Sequence, residues 1–243
     1  MGFPLDYACS CCPIEIIDWL ISKGAIINTN PELYFPPIFR ALSKGRADIV
    51  ELLIENRVDL TVSDSQNTNV LHYLSSSLTH EKRMKFANMF IDLKIPYQIS
   101  TGPIKSPTHA AILSNDPELL KLLLKLTPPE LLHETDPRGN LLCLGLQRAY
   151  DRICWVLLDA GVTVLDCALY DALRWSANEW VLVTPPSQGL LQEIIQRNPS
   201  TVLYHPEDST LEPMEVMLSR VDVDLREVVQ NARNVPFQVK AEI

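Results

Sequence analysis

The stretch that decides the organisation of this chain lies at residues 36–56 and reads PPIFRALSKGRADIVELLIEN. Its opening hexamer returns in altered form as FPLDYA at residues 3–8, NVLHYL at 69–74 and SPTHAA at 106–111. The first three copies begin 33 residues apart. A fixed period of this length indicates an internal repeat in which each copy is one supersecondary unit.

The copies contain segments with helical periodicity. Ile49, Leu52 and Leu53 follow the i, i+3, i+4 spacing that places apolar side chains on one stripe of a helix. One helix pair cannot cover such a stripe, so neighbouring copies must stack and bury it. Asp116 and Pro117 predict a helix start, because an N-cap Asp accepts a backbone N–H and proline loses no hydrogen bond at the first helical position.

The hexamer resembles Thr-Pro-Leu-His-x-Ala, the signature of the ankyrin repeat, whose unit is a turn followed by two helices. Residues 14–28, IEIIDWLISKGAIIN, and residues 45–56 align without a gap to the second helix of that family. The resemblance implies an all-α fold. It would be an ankyrin-repeat solenoid of stacked helix-turn-helix units with short β-hairpin or loop connections.

The resemblance also implies a division of the chain. We predict five repeats within residues 1–165, at about 3–30, 36–63, 69–98, 106–133 and 141–165. Residues 166–235 are expected to form degenerate C-terminal repeats or a helical cap, with a loop at 178–188 and a last helix pair at 212–219 and 224–233. Residues 236–243 would be a tail.

Glycine is scarce for this family, with only 8 in 243 residues. Turns that need positive φ must therefore be made by Asn, by Ser or by longer loops. Asn67 stands where the family uses glycine, and we predict a left-handed backbone there. Uneven stability along the chain is expected, lowest after residue 165.

Charge and composition exclude several classes of function. The chain has 21 Lys+Arg against 30 Asp+Glu, a net charge of −9, which argues against nucleic acid and anionic membranes as partners. It has no run of about 18 apolar residues that would predict a membrane span. Six cysteines without a secretory signal are expected to stay reduced. These features predict a cytoplasmic protein that could also be nuclear, and we expect a monomer.

Motifs for enzymatic chemistry are missing from the sequence, including the common phosphate-binding, zinc-protease and serine-hydrolase patterns. Cys9, Cys11 and Cys12 could bind a metal or form a redox pair, but a structural zinc site needs a second ligand pair downstream. His72 and His109 occupy the signature histidine, which in the family tethers backbone groups of adjacent turns. We predict no catalytic residue, no metal and no cofactor.

The resemblance places a partner site on the concave surface formed by hairpin tips and the exposed side of the first helices. Aromatic and arginine side chains commonly anchor interfaces, which favours Phe35, Tyr73 and Arg138, although Phe35 could pack locally instead. Asn28 stands at a hairpin position that an asparagine hydroxylase modifies in this family; alternatively, it hydrogen-bonds across the hairpin. The predicted partner-binding residues are Glu32, Leu33, Phe35, Arg40, Ser65, Gln66, Thr68, Tyr73, Lys105, Arg138 and Asn140.

The sequence therefore predicts a non-enzymatic protein-interaction module, an adaptor or scaffold that binds a protein of unknown identity on its concave face. One alternative is a regulatory or targeting fragment of a larger multidomain protein, because no polar capping repeat precedes residues 3–8. Another is a metal or redox activity centred on Cys9, Cys11 and Cys12.

Overall fold

The computed structural model of the chain is helical, and its description covers residues 4–31, 35–74, 77–102, 104–135, 139–176, 187–199, 201, 226, 229 and 230. The chain divides into two compact units, Met1–Thr127 and Pro128–Ile243. Within the described ranges the segments between helices are turns and loops without a regular strand. No helix in those ranges is long and apolar enough to cross a lipid bilayer.

The first unit contains four successive helix pairs. Their members are α1 (Pro4–Cys11) with α2 (Ile14–Ser22), α3 (Pro37–Ser43) with α4 (Ala47–Glu55), a 3-10 helix η1 (Val70–Tyr73) with α5 (His80–Asp92), and α6 (Pro107–Leu113) with α7 (Pro117–Leu124). First helices of consecutive pairs pack on each other, α1 on α3, α3 on η1 and η1 on α6. This stacking buries side chains such as Ile38, Phe39 and Leu42 completely.

The described part of the second unit holds a short helix and two further pairs. Its elements are α8 (Pro129–Leu132), α9 (Leu141–Leu146) with α10 (Asp151–Asp159), and α11 (Ala168–Ser176) with α12 (Gln188–Arg197). Helix α11 packs on α9 and α12 packs on α10. Most of the predicted loop at 178–188 and the helix pair predicted at 212–219 and 224–233 lie outside the described residues, apart from a few isolated positions.

Helix starts follow the local rules that the sequence suggested. The side chain of Asp116 accepts a hydrogen bond from the Leu119 N–H, and Pro117 follows it as the first residue of α7, as predicted. Asn69 and Ser106 cap η1 and α6 in the same way. These caps satisfy backbone donors that would otherwise lack partners at a buried helix end.

Several residues other than glycine adopt a left-handed backbone conformation. The prediction for Asn67 is confirmed, since its φ is +60°. Gly24 and Gly161 follow second helices with positive φ, whereas the equivalent residues after α4 and α5 are Arg57 and Lys94, at φ +60° and +56°. A left-handed residue with a Cβ costs roughly 1–2 kcal/mol relative to the right-handed form. The sequence did not predict that Arg and Lys take this conformation.

Candidate functional site

A cluster of aromatic rings and one cation lies where the first helices of the second and third pairs meet. Phe39 stacks on Tyr73 with ring centroids 4.8 Å apart, and Phe35 meets Tyr73 edge to face at 5.6 Å. The Arg40 guanidinium sits over the Phe35 ring, 4.5 Å from its centroid. Phe39 is fully buried, whereas Phe35, Arg40 and Tyr73 are half-buried. The cluster therefore has a packed base and a solvent-facing upper layer.

Arg40 is held from a second side by the first helix pair. Its Nε lies 3.2 Å from Oδ1 of Asp6, which is itself buried. Tyr7, next to Asp6, is 72% exposed. Tyr7, Arg40 and Tyr73 are the fifth residues of three successive hexamers, 33 residues apart, so α1 extends the same line of side chains. Sequence reasoning missed Tyr7, although this register was the signal that could have identified it.

The hairpin before η1 joins this line of side chains. The Asp64 carboxylate faces the Tyr73 phenol, and its Oδ1 accepts the backbone N–H groups of Gln66 and Thr68, both at 2.9 Å. Burial, followed by the Asp64 carboxylate, raises the pKa of Tyr73 above its ordinary value, so the phenol stays protonated. Ser65 and Gln66 are exposed at the tip of this turn. We call Tyr7, Phe35, Arg40, Ser65, Gln66 and Tyr73 the first-helix surface.

The structure does not bring all the predicted binding residues to an exposed surface. Thr68 and Asn140 are each only 6% exposed. Thr68 Oγ1 bonds Ser100 Oγ at 2.9 Å, and Asn140 caps α9 and donates to Thr163 O at 2.7 Å. Their side chains bond inside the fold, so we do not include Thr68 and Asn140 in the candidate surface. Lys105 is exposed in the loop before α6. Glu32, Leu33 and Arg138 lie outside the described residues.

The signature histidines lie in structural positions. The Asn69 N–H donates to Nδ1 of His72 at 3.3 Å, and backbone groups of Gln98 and Lys105 lie against the same ring. Burial lowers the pKa of His72 to about 4, so the ring is neutral near pH 7. Nδ1 of His109 lies 2.8 Å from the Ser106 hydroxyl. These contacts fit the tethering role that the resemblance implied.

The cysteines near the N-terminus do not form a ligand set. Cys9 is fully buried, and burial raises the pKa of its thiol to about 12. The Cys11 and Cys12 sulfurs are 4.0 Å apart at the end of α1. In the described part of the chain, the one group of three potential metal-ligating side chains lies elsewhere, at Cys143, Cys167 and Asp171.

Asn28 takes part in a bond between consecutive hairpins. Its Oδ1 accepts a hydrogen bond from the Asp59 backbone N–H at 2.8 Å, and its side chain is exposed. Asn67 makes a comparable link, donating from Nδ2 to Ile99 O at 2.8 Å. Each amide side chain thereby ties its hairpin to the next one along the chain.

Comparison with known proteins identifies the class of fold. Residues 5–54 match the family model described as ankyrin repeats in many copies. The crystal structure of the human ASB11 ankyrin repeat domain is similar to this chain, with a TM-score of 0.64 and 16% sequence identity, and the match covers 96% of this chain and 99% of that one. Among curated protein sequences none matches significantly. The chain therefore has the all-α fold of ankyrin-repeat domains, and its residues 5–54 match the ankyrin-repeat model.

Proposed function

We propose that this protein is a non-catalytic adaptor or scaffold that binds a segment of another protein on the first-helix surface. The ankyrin-repeat fold is a protein-interaction module. The observation that carries the proposal is the unbroken contact path from Asp6 through Arg40, Phe35 and Tyr73 to Asp64, with exposed side chains at both ends. Tyrosine and arginine are enriched among interface residues that contribute most to affinity.

Preorganisation makes Arg40 the expected anchor. Asp6 and the Phe35 ring hold the guanidinium from two sides. A side chain ordered before binding loses less conformational entropy when a partner docks, which leaves more of the contact energy as affinity. The bond to Asp6 uses Nε, and the terminal amino groups of Arg40 can donate to carbonyl or carboxylate oxygens of a partner. Tyr7 offers an exposed ring beside it.

Two further assignments belong to the proposal. The six cysteines include exposed Cys11 and half-buried Cys12 as free thiols, which supports a reducing setting such as the cytoplasm or nucleus. Asn28 is exposed, so its amide is accessible to an asparagine hydroxylase once its bond to Asp59 opens. A peptide mass spectrum that contains no oxygen adduct on Asn28, from cells containing such an enzyme, would contradict the second assignment.

The test uses substitutions that leave the aromatic base intact, and because Arg40→Ala also unpairs buried Asp6, the stability of each variant is measured as well. Wild type and a Tyr7→Ala/Arg40→Ala variant are used to capture partners from source-cell lysate, and the affinity of any protein retained by the wild type is then measured with purified components. We expect the variant to bind at least about tenfold more weakly, because each anchor truncation typically costs more than about 1 kcal/mol. Tyr73→Ala is avoided because it would open space against buried Phe39.

Trp19→Ala provides a matched control. Trp19 is a large exposed side chain on α2, the second helix of the pair that carries Tyr7. Equal binding by wild type and Trp19→Ala, with loss only in the Tyr7→Ala/Arg40→Ala variant, would support the first-helix surface. Equal binding by all three would place the interface elsewhere. Circular dichroism melting of each protein separates a lost contact from a lost fold.

A further inference from the structure

Two sulfurs and a carboxylate meet in the second unit, and none of the three residues belongs to the proposed partner surface. Cys143 lies on α9, Cys167 in the turn before α11, and Asp171 on α11. The two Sγ atoms are 3.6 Å apart, and one ligand atom from each of the three residues lies within 4.8 Å of the others. Cys143 and Asp171 are buried, and Cys167 is half-buried.

We infer that Cys143, Cys167 and Asp171 form a binding site for zinc. Zinc is bound tetrahedrally by thiolate and carboxylate ligands, with Zn–S bonds of about 2.3 Å. Two sulfurs on one tetrahedral zinc are consequently about 3.8 Å apart, close to the separation found here. Calcium and magnesium prefer all-oxygen ligand sets, so two sulfurs select against them. Three protein ligands leave the fourth position to water or to a further donor.

Surrounding residues hold these ligands in place. Nε2 of Gln147 donates to Oδ1 of Asp171 at 3.3 Å, the kind of outer contact that orients a metal-binding carboxylate. Asn140 Oδ1 accepts the Cys143 N–H at 3.2 Å, and this fixes the start of α9. Gly139, with φ +106°, leaves open the space beside the Cys143 sulfur, where an added Cβ would lie 2.8 Å from Sγ.

A disulfide between Cys143 and Cys167 is the alternative to zinc binding. It would need the sulfurs to close from 3.6 Å to about 2.05 Å and an oxidant to remove two electrons. A bound metal ion deprotonates a coordinating thiol directly, so the burial of Cys143 does not prevent zinc binding.

Cobalt(II) provides a spectroscopic test on the full-length, reduced and metal-stripped chain. We expect one equivalent to bind with sulfur-to-cobalt charge-transfer absorption and to be displaced by zinc. Cys143→Ser should abolish that absorption, and Asp171→Asn should weaken zinc binding at least about tenfold in competition with a chromophoric chelator. Cys11→Ser/Cys12→Ser is the matched control, because it removes the other close sulfur pair and should bind as wild type does.

A second measurement needs no variant, so a folding defect in Cys143→Ser cannot obscure the answer. Alkylation of wild type, read by peptide mass spectrometry, should slow at least about tenfold at Cys167 when zinc is added, while Cys11 is unaffected. Absence of cobalt charge transfer, loss of the signal in Cys11→Ser/Cys12→Ser alone, or zinc-independent alkylation of Cys167 would each overturn the site.

Discussion

The buried ion pair between α5 and α7 allows a prediction that can be worked out in energy. Nη1 of Arg83 lies 2.9 Å from Oδ2 of Asp116, and both side chains are less than a tenth exposed. Nη2 of Arg83 donates to Leu78 O at 2.9 Å, and Asp116 Oδ2 also lies 3.0 Å from His80 Nδ1. Asp116 Oδ1 caps α7 through the Leu119 N–H. The Asp116 carboxylate therefore both pairs with the buried Arg83 guanidinium and caps helix α7.

Two substitutions at Asp116 separate these roles. Asp116→Asn keeps an oxygen for the cap but leaves the Arg83 charge buried and unpaired, which costs about 3–5 kcal/mol. Asp116→Ala removes the cap as well, at about 1 kcal/mol more. Urea unfolding of the full-length chain, followed by circular dichroism, gives both values. Glu118→Gln is the control, since Glu118 forms only an exposed pair with Lys121, worth less than about 0.5 kcal/mol.

A double substitution tests whether the loss comes from the unpaired charge. Replacing both partners in Arg83→Met/Asp116→Asn removes the buried charge altogether, and apolar replacements of buried pairs are often close to neutral. We therefore expect the double variant to be more stable than Asp116→Asn alone, by about 2 kcal/mol or more. A double variant that shows the sum of the two single losses, or an Asp116→Asn loss below about 1 kcal/mol, would refute the reasoning.

Substitutions at His72, Ala149 and Asn28 test three further predictions about stability. Because the pKa of buried His72 is about 4 when folded and about 6.5 when unfolded, the unfolded chain binds more protons between these values, so stability falls as pH drops from about 6.5 to 4; urea titrations should show a flatter pH dependence in His72→Gln. Ala149 has φ +53°, so Ala149→Gly should raise stability by about 0.5–1 kcal/mol in thermal unfolding, whereas Ala160→Gly, at φ −76°, should lower it by a similar amount. Asn28→Ala should cost about 0.5–1 kcal/mol by removing the bond to Asp59, and no measurable loss in urea unfolding would show that this exposed bond contributes nothing.

Local sequence patterns predicted much of the fold. The 33-residue period and the resemblance to the ankyrin signature together predicted helix pairs, and the cap at Asp116 and the left-handed turn at Asn67 follow from the chemistry of those side chains. Arg57 and Lys94 had no such signal, because neither residue type favours positive φ. Their conformation belongs to the turn that ends each helix, in which the Val58 N–H donates to Leu53 O and the Ile95 N–H donates to Phe90 O, both at 3.0 Å, a turn that glycine usually makes.

The candidate partner surface was predicted only in part, and the reason lies in contacts between repeats. The fourth residue of one hexamer meets the fifth residue of the next: Asp6 bonds Arg40, and Phe39 stacks on Tyr73, each pair 34 residues apart. Within a single hexamer, Asp6 or Phe39 shows only that the signature histidine has been replaced. Between consecutive hexamers, Asp6 forms a salt bridge with Arg40 and Phe39 stacks on Tyr73. These two contacts hold the exposed side chains of the first-helix surface in place.

The cluster of two sulfurs and a carboxylate in the second unit also joins consecutive helix pairs. Cys143 stands three residues after the cap residue Asn140, as His72 stands three residues after the cap residue Asn69, and the side chains it meets, Cys167 and Asp171, belong to the following helix pair and the turn before it. At this position His72 accepts a backbone N–H and tethers its own turn. Cys143 has no imidazole for that role, and its thiol instead meets side chains of the neighbouring repeat. In this chain the departures from the repeat signature are therefore better guides to function than the residues that match it.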